Sequence, residues 1–272
     1  MTKIGCHVSI AGGIPNAPER AAALGCETFQ IFSRSPQGGP APKLTPVIIK
    51  EFHQAMAKNG FDRFYIHAPY YTNFASAVAK TREFSVAIAR EELERGTILG
   101  ASYVVIHLGS AKDSNRDEAV ARAAQSVNKI LDGYQGRTKL LLEISAGTGN
   151  VIGDTFEELK TILAGSKSLA LGGVCFDTCH AFASGYDLTQ ETFAAFDKII
   201  GLNQIKLLHV NDSKVALGAQ RDRHEHIGEG KIGRDRLAII SKIKALKRVD
   251  WVLETKHDKV EQDLAMLKAM RS

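Results

Sequence analysis

The sequence predicts an α/β protein built as a single (β/α)8 barrel, the TIM barrel architecture. Short β-branched or apolar runs alternate with longer amphipathic runs from end to end, which is typical of repeated strand and helix units around a parallel sheet. The chain has 272 residues, close to the roughly 250 that a complete barrel of this kind needs. No linker or low-complexity tract interrupts the series, so we expect one catalytic domain over residues 1–272.

Eight runs have the length and apolar composition of buried strands. In chain order they extend from Ile4 to Val8, Thr28 to Phe32, Phe64 to His67, Tyr103 to His107, Lys139 to Ile144, Gly173 to Asp177, Ile205 to Val210 and Trp251 to Glu254. Each run is followed by a loop and an amphipathic run. The connections are therefore long enough for crossovers, and the strands should lie parallel to one another.

The amphipathic runs predict one helix after each strand. They extend from Ala17 to Leu24, Pro46 to Asn59, Ser76 to Leu99, Glu118 to Leu131, Phe156 to Leu163, Gln190 to Ile200, Arg234 to Ile243 and Val260 to Met270. Gly25, Gly60, Gly100 and Gly133 follow four of them, and a glycine there can adopt the left-handed conformation that ends a helix. The loops after the first, second and seventh strands are rich in Gly, Pro or charge, at the end of the barrel where active sites lie.

The composition favours a mildly basic protein of the cytoplasm. A net charge of +5 suits an anionic partner without proving one. No apolar run approaches the roughly 20 residues of a membrane span, and no export signal follows Met1. The four cysteines are too few and too irregularly spaced for a disulfide framework, so we expect reduced thiols. We also expect a monomer with no membrane contact and no protein partner.

From the third strand onward, a side chain that can bind a divalent metal lies at or next to the end of each predicted strand. These side chains are His67, His107, Glu143, Asp177, His209 and Glu254. Because the carboxyl ends of barrel strands converge on one rim, six positions far apart in the sequence should be neighbours. Carboxylates crowded there repel one another and are costly to bury, and a bound cation removes both penalties.

Two short motifs extend this set of candidate ligands. His180 follows Asp177 in the motif DTCH, and Asp222 and His224 lie in the motif DRH of the long loop after the seventh strand. Nine candidate ligands exceed the three that one catalytic zinc usually takes from the protein, so they indicate three metal ions with a bridging carboxylate. Five of the nine are imidazoles, which favours zinc over magnesium and lets manganese or iron be tolerated.

Six motifs along the chain carry a family resemblance. The longest is GVCFDTCHAFASGYD at residues 173–187. The others are GCHVSIAGG at 5–13, HLGS at 107–110, LEISAG at 142–147, HVNDSK at 209–214 and DRHEHIGEG at 222–230. Taken in chain order, these motifs resemble the endonuclease IV family of abasic-site endonucleases over the whole chain.

The resemblance implies a DNA repair enzyme that hydrolyses the phosphodiester bond on the 5′ side of an abasic site in duplex DNA. The products would be a 3′-hydroxyl and a 5′-deoxyribose phosphate. Three zinc ions would supply an activated hydroxide as the nucleophile and stabilise the charge of the phosphorane and the departing oxygen. A nucleotide without a base has lost stacking and pairing, so it flips into a tight pocket at a lower cost than a normal nucleotide.

The resemblance also assigns the ligands of each zinc ion. The first ion would be held by His67, His107 and Glu143. The second would be held by Glu143, Asp177, His209 and Glu254, so that Glu143 bridges two ions and is the catalytic residue. The third would be held by His180, Asp222 and His224.

The expected DNA-contact residues match the pattern of the family at one position and depart from it at two others. Tyr70 matches a family residue that inserts into the DNA stack, where a flat ring replaces lost base stacking. Where the family usually has Arg-x-Trp after the second strand, this chain reads QGGP from Gln37, so we expect a weaker grip on DNA with Arg34 as a substitute. His7 is expected to support the metal site or contact DNA. Lys256 replaces the usual proline after Glu254-Thr255, which changes the stiffness of that loop.

Two other functions compete with the nuclease. A sugar isomerase or epimerase on a related barrel uses a single metal at the strand ends, and strands five to eight alone would permit it. His67, His107, His180, Asp222 and His224 speak against it, because a single-metal enzyme has no use for further ligand sets. The other is a DNA-binding module without catalysis. It is disfavoured, because DNA recognition alone does not require an intact set of metal ligands for an activated water. Any one of these histidines alone would more often be a structural residue.

Overall fold

Eight parallel strands form a closed barrel in the computed structural model, which describes residues 1–112 and 114–271. They are β1 (Ile4–His7), β2 (Thr28–Ile31), β3 (Tyr65–His67), β4 (Tyr103–Ile106), β5 (Lys139–Glu143), β6 (Leu171–Asp177), β7 (Ile205–His209) and β10 (Asp250–Leu253). A two-stranded antiparallel ribbon, β8 (Asp212–Ser213) and β9 (His224–Glu225), stands in the chain between β7 and β10. The predicted (β/α)8 barrel is confirmed.

The strands follow one another around the barrel in chain order, and pairing of β10 with β1 closes it. The register sets Glu143 beside Cys175 and Asp177 beside His209. Since all eight strands are parallel, their carboxyl ends lie on one rim. The register therefore sets Asp177 level with His209, while Glu143 pairs two residues earlier on β6.

Helices surround the barrel and connect its strands. They are α1 (Asn16–Ala23), α2 (Pro46–Lys58), α3 (Ala79–Leu99), α4 (Arg116–Leu131), α5 (Phe156–Ala164), α6 (Thr178–Ala183), α7 (Gln190–Ile199), α8 (Arg234–Leu237), α9 (Ile239–Lys242) and α10 (Val260–Arg271). Thr45 caps α2 by accepting a hydrogen bond from the backbone of Ile48, and Gly100 ends α3 with a φ of 82°. Across the described residues, none of these helices has the length and apolar character needed to cross a membrane.

Three helical predictions need correction. The third helix begins at Ala79, three residues after the expected Ser76. The segment expected as one helix from Arg234 to Ile243 consists of the two short helices α8 and α9. The break lies at Ala238, which flanks both helices, and Ile239 and Ile240 are helical in α9. The short helix α6 follows β6 without a loop, so the alternation of strand and helix did not reveal it.

Two apolar layers hold the barrel together. Inside it, Tyr65, Val105, Leu141, Cys175, Leu207 and Val252 pack against one another. Outside it, the larger layer lies between strands and helices, where Phe29 and Phe64 stack with ring centroids 5.3 Å apart. Burial of each such ring stabilises the fold by about 1.5–3 kcal/mol. At the amino end of the strands, the Tyr65 hydroxyl donates to Asp250 at 2.5 Å, so this buried carboxylate has a hydrogen-bond partner.

A single carboxylate organises the loop between β8 and α8. Asp212 is fully buried and accepts hydrogen bonds from the backbone N–H groups of Gly228, Gly230, Ile232 and Gly233 at 2.9–3.3 Å. A Cβ on Gly230 would lie 2.4 Å from Asp212 Oδ1, so that position requires glycine. The loop that leads out of β9 is thereby tied to the barrel beside the metal-ligand candidates.

Candidate metal centre

Glu143, at the end of β5, lies at the centre of a cluster of imidazoles. Its Oε2 atom is 3.0 Å from Nε2 of His67 and 3.0 Å from Nε2 of His107. Its Oε1 atom is 2.8 Å from Nδ1 of His209. The carboxylate is fully buried, so it needs protonated imidazoles or a cation beside it in place of the water that it loses on folding.

The first ligand group consists of His67, His107 and Glu143, whose ligand atoms all lie within 4.8 Å of one another. His67 Nδ1 lies 2.6 Å from the carbonyl oxygen of Ala68. Because a carbonyl oxygen only accepts, His67 donates from Nδ1 and its Nε2 lone pair faces Glu143. The backbone of β3 thus prepares His67 as an Nε2 ligand.

The second ligand group consists of Glu143, Asp177, His209 and Glu254, again with ligand atoms within 4.8 Å of one another. Nδ1 of His209 lies 3.3 Å from Glu254 Oε2 and 3.9 Å from Asp177 Oδ2. Asn211 ties two of these ligands together, because its amide donates to Asp177 Oδ2 at 2.8 Å and its oxygen accepts from the backbone of Glu254 at 2.8 Å. Three carboxylates therefore meet one imidazole in a buried space.

The third ligand group consists of His180, Asp222 and His224. Nε2 of His180 and Nε2 of His224 each lie 3.2 Å from a carboxylate oxygen of Asp222. Asp177 Oδ1 caps α6 by accepting from the backbone N–H of His180 at 2.8 Å, and this turn places His180 on the rim. His180 Nδ1 donates to the carbonyl oxygen of Ile144 at 2.9 Å, which leaves its Nε2 with the lone pair.

Two buried nitrogens in this third group make no hydrogen bond. They are Nε2 of His180 and Nε2 of His224, both among the few such atoms in the described part of the chain. A buried polar atom without a partner is costly, and in the neutral imidazoles a lone pair directed at a carboxylate would gain nothing from it. A cation between them would satisfy both the nitrogens and Asp222. The donor set therefore fits a metal ion.

The charges in the cluster are strongly coupled. Burial raises the pKa of the Glu143 carboxyl, but the imidazoles of His209 and His107 outweigh burial and hold that pKa well below its usual range. Burial lowers the pKa of the His180 imidazole, yet the carboxylates of Asp177 and Asp222 raise it well above its usual value. Without bound metal, protons on the imidazoles balance the negative charge of the carboxylates. Divalent cations could supply this positive charge instead.

A cleft of about 420 Å³ opens beside the first and third ligand groups. Its walls include Tyr70, Asn73, His107, Thr148 and Arg223. The lining thus combines the candidate metal ligands His107, His180 and Asp222 with neutral and basic side chains. Such a cleft can hold a small anionic group against the ligand cluster.

The expected DNA-contact residues fall into different environments. Tyr70 is 54% exposed and packs edge-on against Phe32, with ring centroids 5.2 Å apart. Gln37 is exposed in the loop after β2. His7 faces inward, where it accepts a hydrogen bond from Gln30 at 3.1 Å. Burial lowers the pKa of His7 to about 3, so this imidazole is neutral and supports its neighbours.

Arg34 requires a correction. Its side chain is 2% exposed, and its guanidinium contacts Glu92 at 2.6 Å and Glu91 at 2.7 Å. Both glutamates belong to α3, which the sequence could not place beside the loop after β2. Arg34 therefore ties this loop to α3 and does not present its charge to a phosphate, contrary to the expectation that it substitutes for the missing arginine.

Two buried amides beside the cluster were missed in the sequence. Gln30 donates from Nε2 to Glu254 Oε1 at 2.7 Å and faces Nε2 of His209 with its oxygen at 2.9 Å. Asn211 has the contacts described above. The available signal was a polar side chain inside an apolar strand for Gln30, and proximity to a candidate ligand for Asn211. Neither signal identifies a partner without the fold.

Comparison with known proteins places this chain in a family. The sequence model of the family described as "Xylose isomerase-like TIM barrel" matches residues 18–270. A relative from Methanoculleus marisnigri named "Probable endonuclease 4" is 39% identical, with 100% of this chain and 98% of the relative aligned. The crystal structure of endonuclease IV from Thermus thermophilus superimposes with a TM-score of 0.86 at 36% identity, over 99% of this chain and 97% of that chain.

A solved D-psicose 3-epimerase from Clostridium cellulolyticum is more distant. Its TM-score is 0.73 at 15% identity, over 99% of this chain and 98% of that chain, so it shares the fold alone. The full-length relatives at higher identity are named for endonuclease 4. The resemblance seen in the sequence motifs is therefore confirmed, and the chain belongs to the endonuclease IV family.

Proposed function

We propose that this chain is a zinc-dependent DNA repair endonuclease that hydrolyses the phosphodiester bond on the 5′ side of an abasic site in duplex DNA. The observation that carries the proposal is the convergence of nine ligand side chains on one rim, with two buried imidazole nitrogens left without hydrogen bonds. The family membership agrees with it, since relatives of the same length are named for endonuclease 4.

The three ligand groups would hold three zinc ions. His67, His107 and Glu143 would hold the first, and Glu143 would share a second with Asp177, His209 and Glu254. His180, Asp222 and His224 would hold the third, where Asp222 lies 3.2 Å from both imidazoles. Bound zinc would activate a water for attack and neutralise the charge that develops on the phosphate and the leaving oxygen. Five imidazoles among the donors favour zinc, with manganese or iron tolerated.

The side chains around the zinc positions would select and orient the substrate. The cleft beside His107 has the volume to hold a deoxyribose phosphate, and a nucleotide without a base would enter it at the lowest unstacking cost. Tyr70 stands at its mouth with an exposed ring that could stack in the gap left by the missing base. Arg223 lies on the cleft wall and could pair with a DNA phosphate.

The rival function is a sugar isomerase or epimerase, whose fold this barrel shares. The second ligand group alone would suit a single-metal enzyme of that kind. The third group favours the nuclease. The buried nitrogens of His180 and His224 that lack hydrogen bonds lower the stability of the fold unless a metal ion binds them. Several cations around one phosphate can stabilise both the attacking and the leaving oxygen of phosphodiester hydrolysis, and a single-metal isomerase has no such use for them.

The test is incubation of the purified protein with a duplex that carries one defined abasic site, with and without a chelator. Cleavage should occur on the 5′ side only, leave a 3′-hydroxyl and a 5′-deoxyribose phosphate, and stop with the chelator. An identical duplex with a normal nucleotide at that position is the control. Uncut abasic duplex, together with about one metal ion per chain, would refute the proposal in favour of the isomerase.

A further inference from the structure

Gln30 is a buried polar side chain of β2 that reaches the second ligand group. It is fully buried. Its Nε2 atom donates to Glu254 Oε1 at 2.7 Å and to His7 Nδ1 at 3.1 Å, and its Oε1 atom lies 2.9 Å from His209 Nε2. Both hydrogens and the oxygen of the amide are therefore used, and its partners include two of the proposed zinc ligands.

The partners of this amide determine its orientation. A carboxylate only accepts, so the NH2 end must face Glu254 and the oxygen must face His209. An amide oxygen also only accepts, so His209 must carry its proton on Nε2. A neutral imidazole has one such proton, and the lone pair of His209 is therefore on Nδ1. Nδ1 is the atom that faces Glu143 at 2.8 Å and Glu254 at 3.3 Å.

Other ligand histidines have the opposite arrangement. His67 and His180 each donate from Nδ1 to a backbone carbonyl oxygen, so their Nε2 atoms face the ligand cluster. For His209, a side chain on another strand replaces the backbone carbonyl. The same amide holds the carboxylate of Glu254, so one residue sets the orientation of two neighbouring ligands.

We propose that Gln30 is a positioning residue that makes His209 bind the second metal ion through Nδ1 and holds Glu254 in place for the same ion. This inference rests on the proposed function, because it assumes that the ligand cluster binds zinc. Loss of a hydrogen-bond partner behind a metal ligand typically lowers metal affinity by about 10–100-fold. Such a loss should be confined to one of the three metal positions.

The first test records the imidazole nitrogens of the zinc-loaded wild-type protein by long-range ¹H–¹⁵N NMR. We expect His209 to show a protonated Nε2 and a metal-bound Nδ1, and His67 and His180 to show the reverse. Binding of His209 through Nε2 would overturn the inference. This measurement needs no variant, so it remains decisive if a substitution at Gln30 prevents folding.

The second test compares zinc retention by Gln30→Met and by the wild type against a competing chelator. The thioether has a similar length but cannot replace the amide, so we expect one zinc ion to be held about 10–100-fold more weakly. Thr28→Val is the matched control. Thr28 is buried on the same strand and donates to the carbonyl oxygen of Arg63 at 3.1 Å, without contact to the ligand cluster. Its loss should lower stability without changing zinc retention.

Gln30→Glu separates the contact of the amide with His209 from its contact with Glu254. A carboxylate still accepts from His209 Nε2 but repels Glu254, so His209 should keep its Nδ1 bond while zinc retention falls. Unchanged zinc retention in both Gln30 variants would overturn the inference and leave the metal centre intact. A wild-type protein that binds no zinc would instead overturn the proposed function, so the two failures are distinguishable.

Discussion

Glu143 and His209 meet across the mouth of the barrel, where Oε1 of the carboxylate lies 2.8 Å from Nδ1 of the imidazole. The other oxygen of Glu143 faces the histidines at the ends of β3 and β4. One carboxylate thus belongs to two ligand groups at once. Under the proposed function, this arrangement would let Glu143 bridge two metal ions.

Replacement of Glu143 by alanine should abolish cleavage of an abasic duplex. Two zinc ions would lose their shared ligand, so we expect turnover to fall by more than the roughly 100-fold that a change behind a ligand can cause. Single-turnover cleavage measures the effect. Glu157→Ala, an exposed change in the first turn of α5, is the control. Near-normal turnover of Glu143→Ala would contradict the bridging assignment.

Acid should remove zinc and activity together. The carboxylates around His180 outweigh the effect of burial and raise its pKa, so protons compete for this imidazole at a pH above the ordinary histidine value of about 6.5. Zinc must displace that proton, and its affinity therefore decreases as the pH falls. Zinc content and cleavage rate should be measured in parallel after equilibration at each pH. Profiles that stay flat down to about pH 4.5 would count against histidine ligation.

Replacement of Asp212 by asparagine should destabilise the protein. The amide keeps one acceptor oxygen for the backbone N–H groups that the carboxylate now binds, and hydrogen bonds to a charged group contribute about 1.5–3 kcal/mol each. We expect a loss of about 2 kcal/mol or more in the free energy of unfolding, measured in urea. Asp235→Asn, exposed on α8, should have little effect. Equal stabilities of the two variants would show that Asp212 does not organise this loop.

Replacement of Gln37 by arginine should strengthen binding to abasic DNA. Gln37 is exposed in the loop after β2, and a new phosphate contact would make the salt dependence of the binding constant steeper by about one unit. Affinity should be measured at several fixed salt concentrations with a catalytically inactive background. Gln125→Arg, exposed on α4, adds the same charge on the outside of the barrel. If both changes have the same effect, the loop is not at the DNA interface.

Replacement of Arg34 by alanine should lower the free energy of unfolding and leave DNA binding unchanged. Glu92 is fully buried and would lose the guanidinium that lies 2.6 Å away, and loss of one partner of a buried pair typically costs about 3–5 kcal/mol. Chemical denaturation measures this cost against the exposed Arg137→Ala. A reduced salt dependence of DNA binding by the folded Arg34 variant would restore the DNA-contact role that the structure contradicts.

Local patterns were sufficient to predict the barrel and most of its elements. Strands such as Tyr103–Ile106 are continuous apolar runs, and helices such as α4 have a regular apolar face, so each is recognisable from its own residues. The helix α6 was missed because it is short and fully buried and therefore has no polar face. The break between α8 and α9 was missed because the amphipathic pattern continues across it.

The sequence by itself determined the fold class and the set of candidate ligands. Parallel strands end on one rim, and the residue type at each strand end shows whether its side chain can bind a metal. Tertiary structure alone decided which side chains meet. Gln30 faces His209 from another strand, and Arg34 is buried against Glu92 of α3. Such pairings depend on register and on packing between distant segments, and local periodicity carries no information about either.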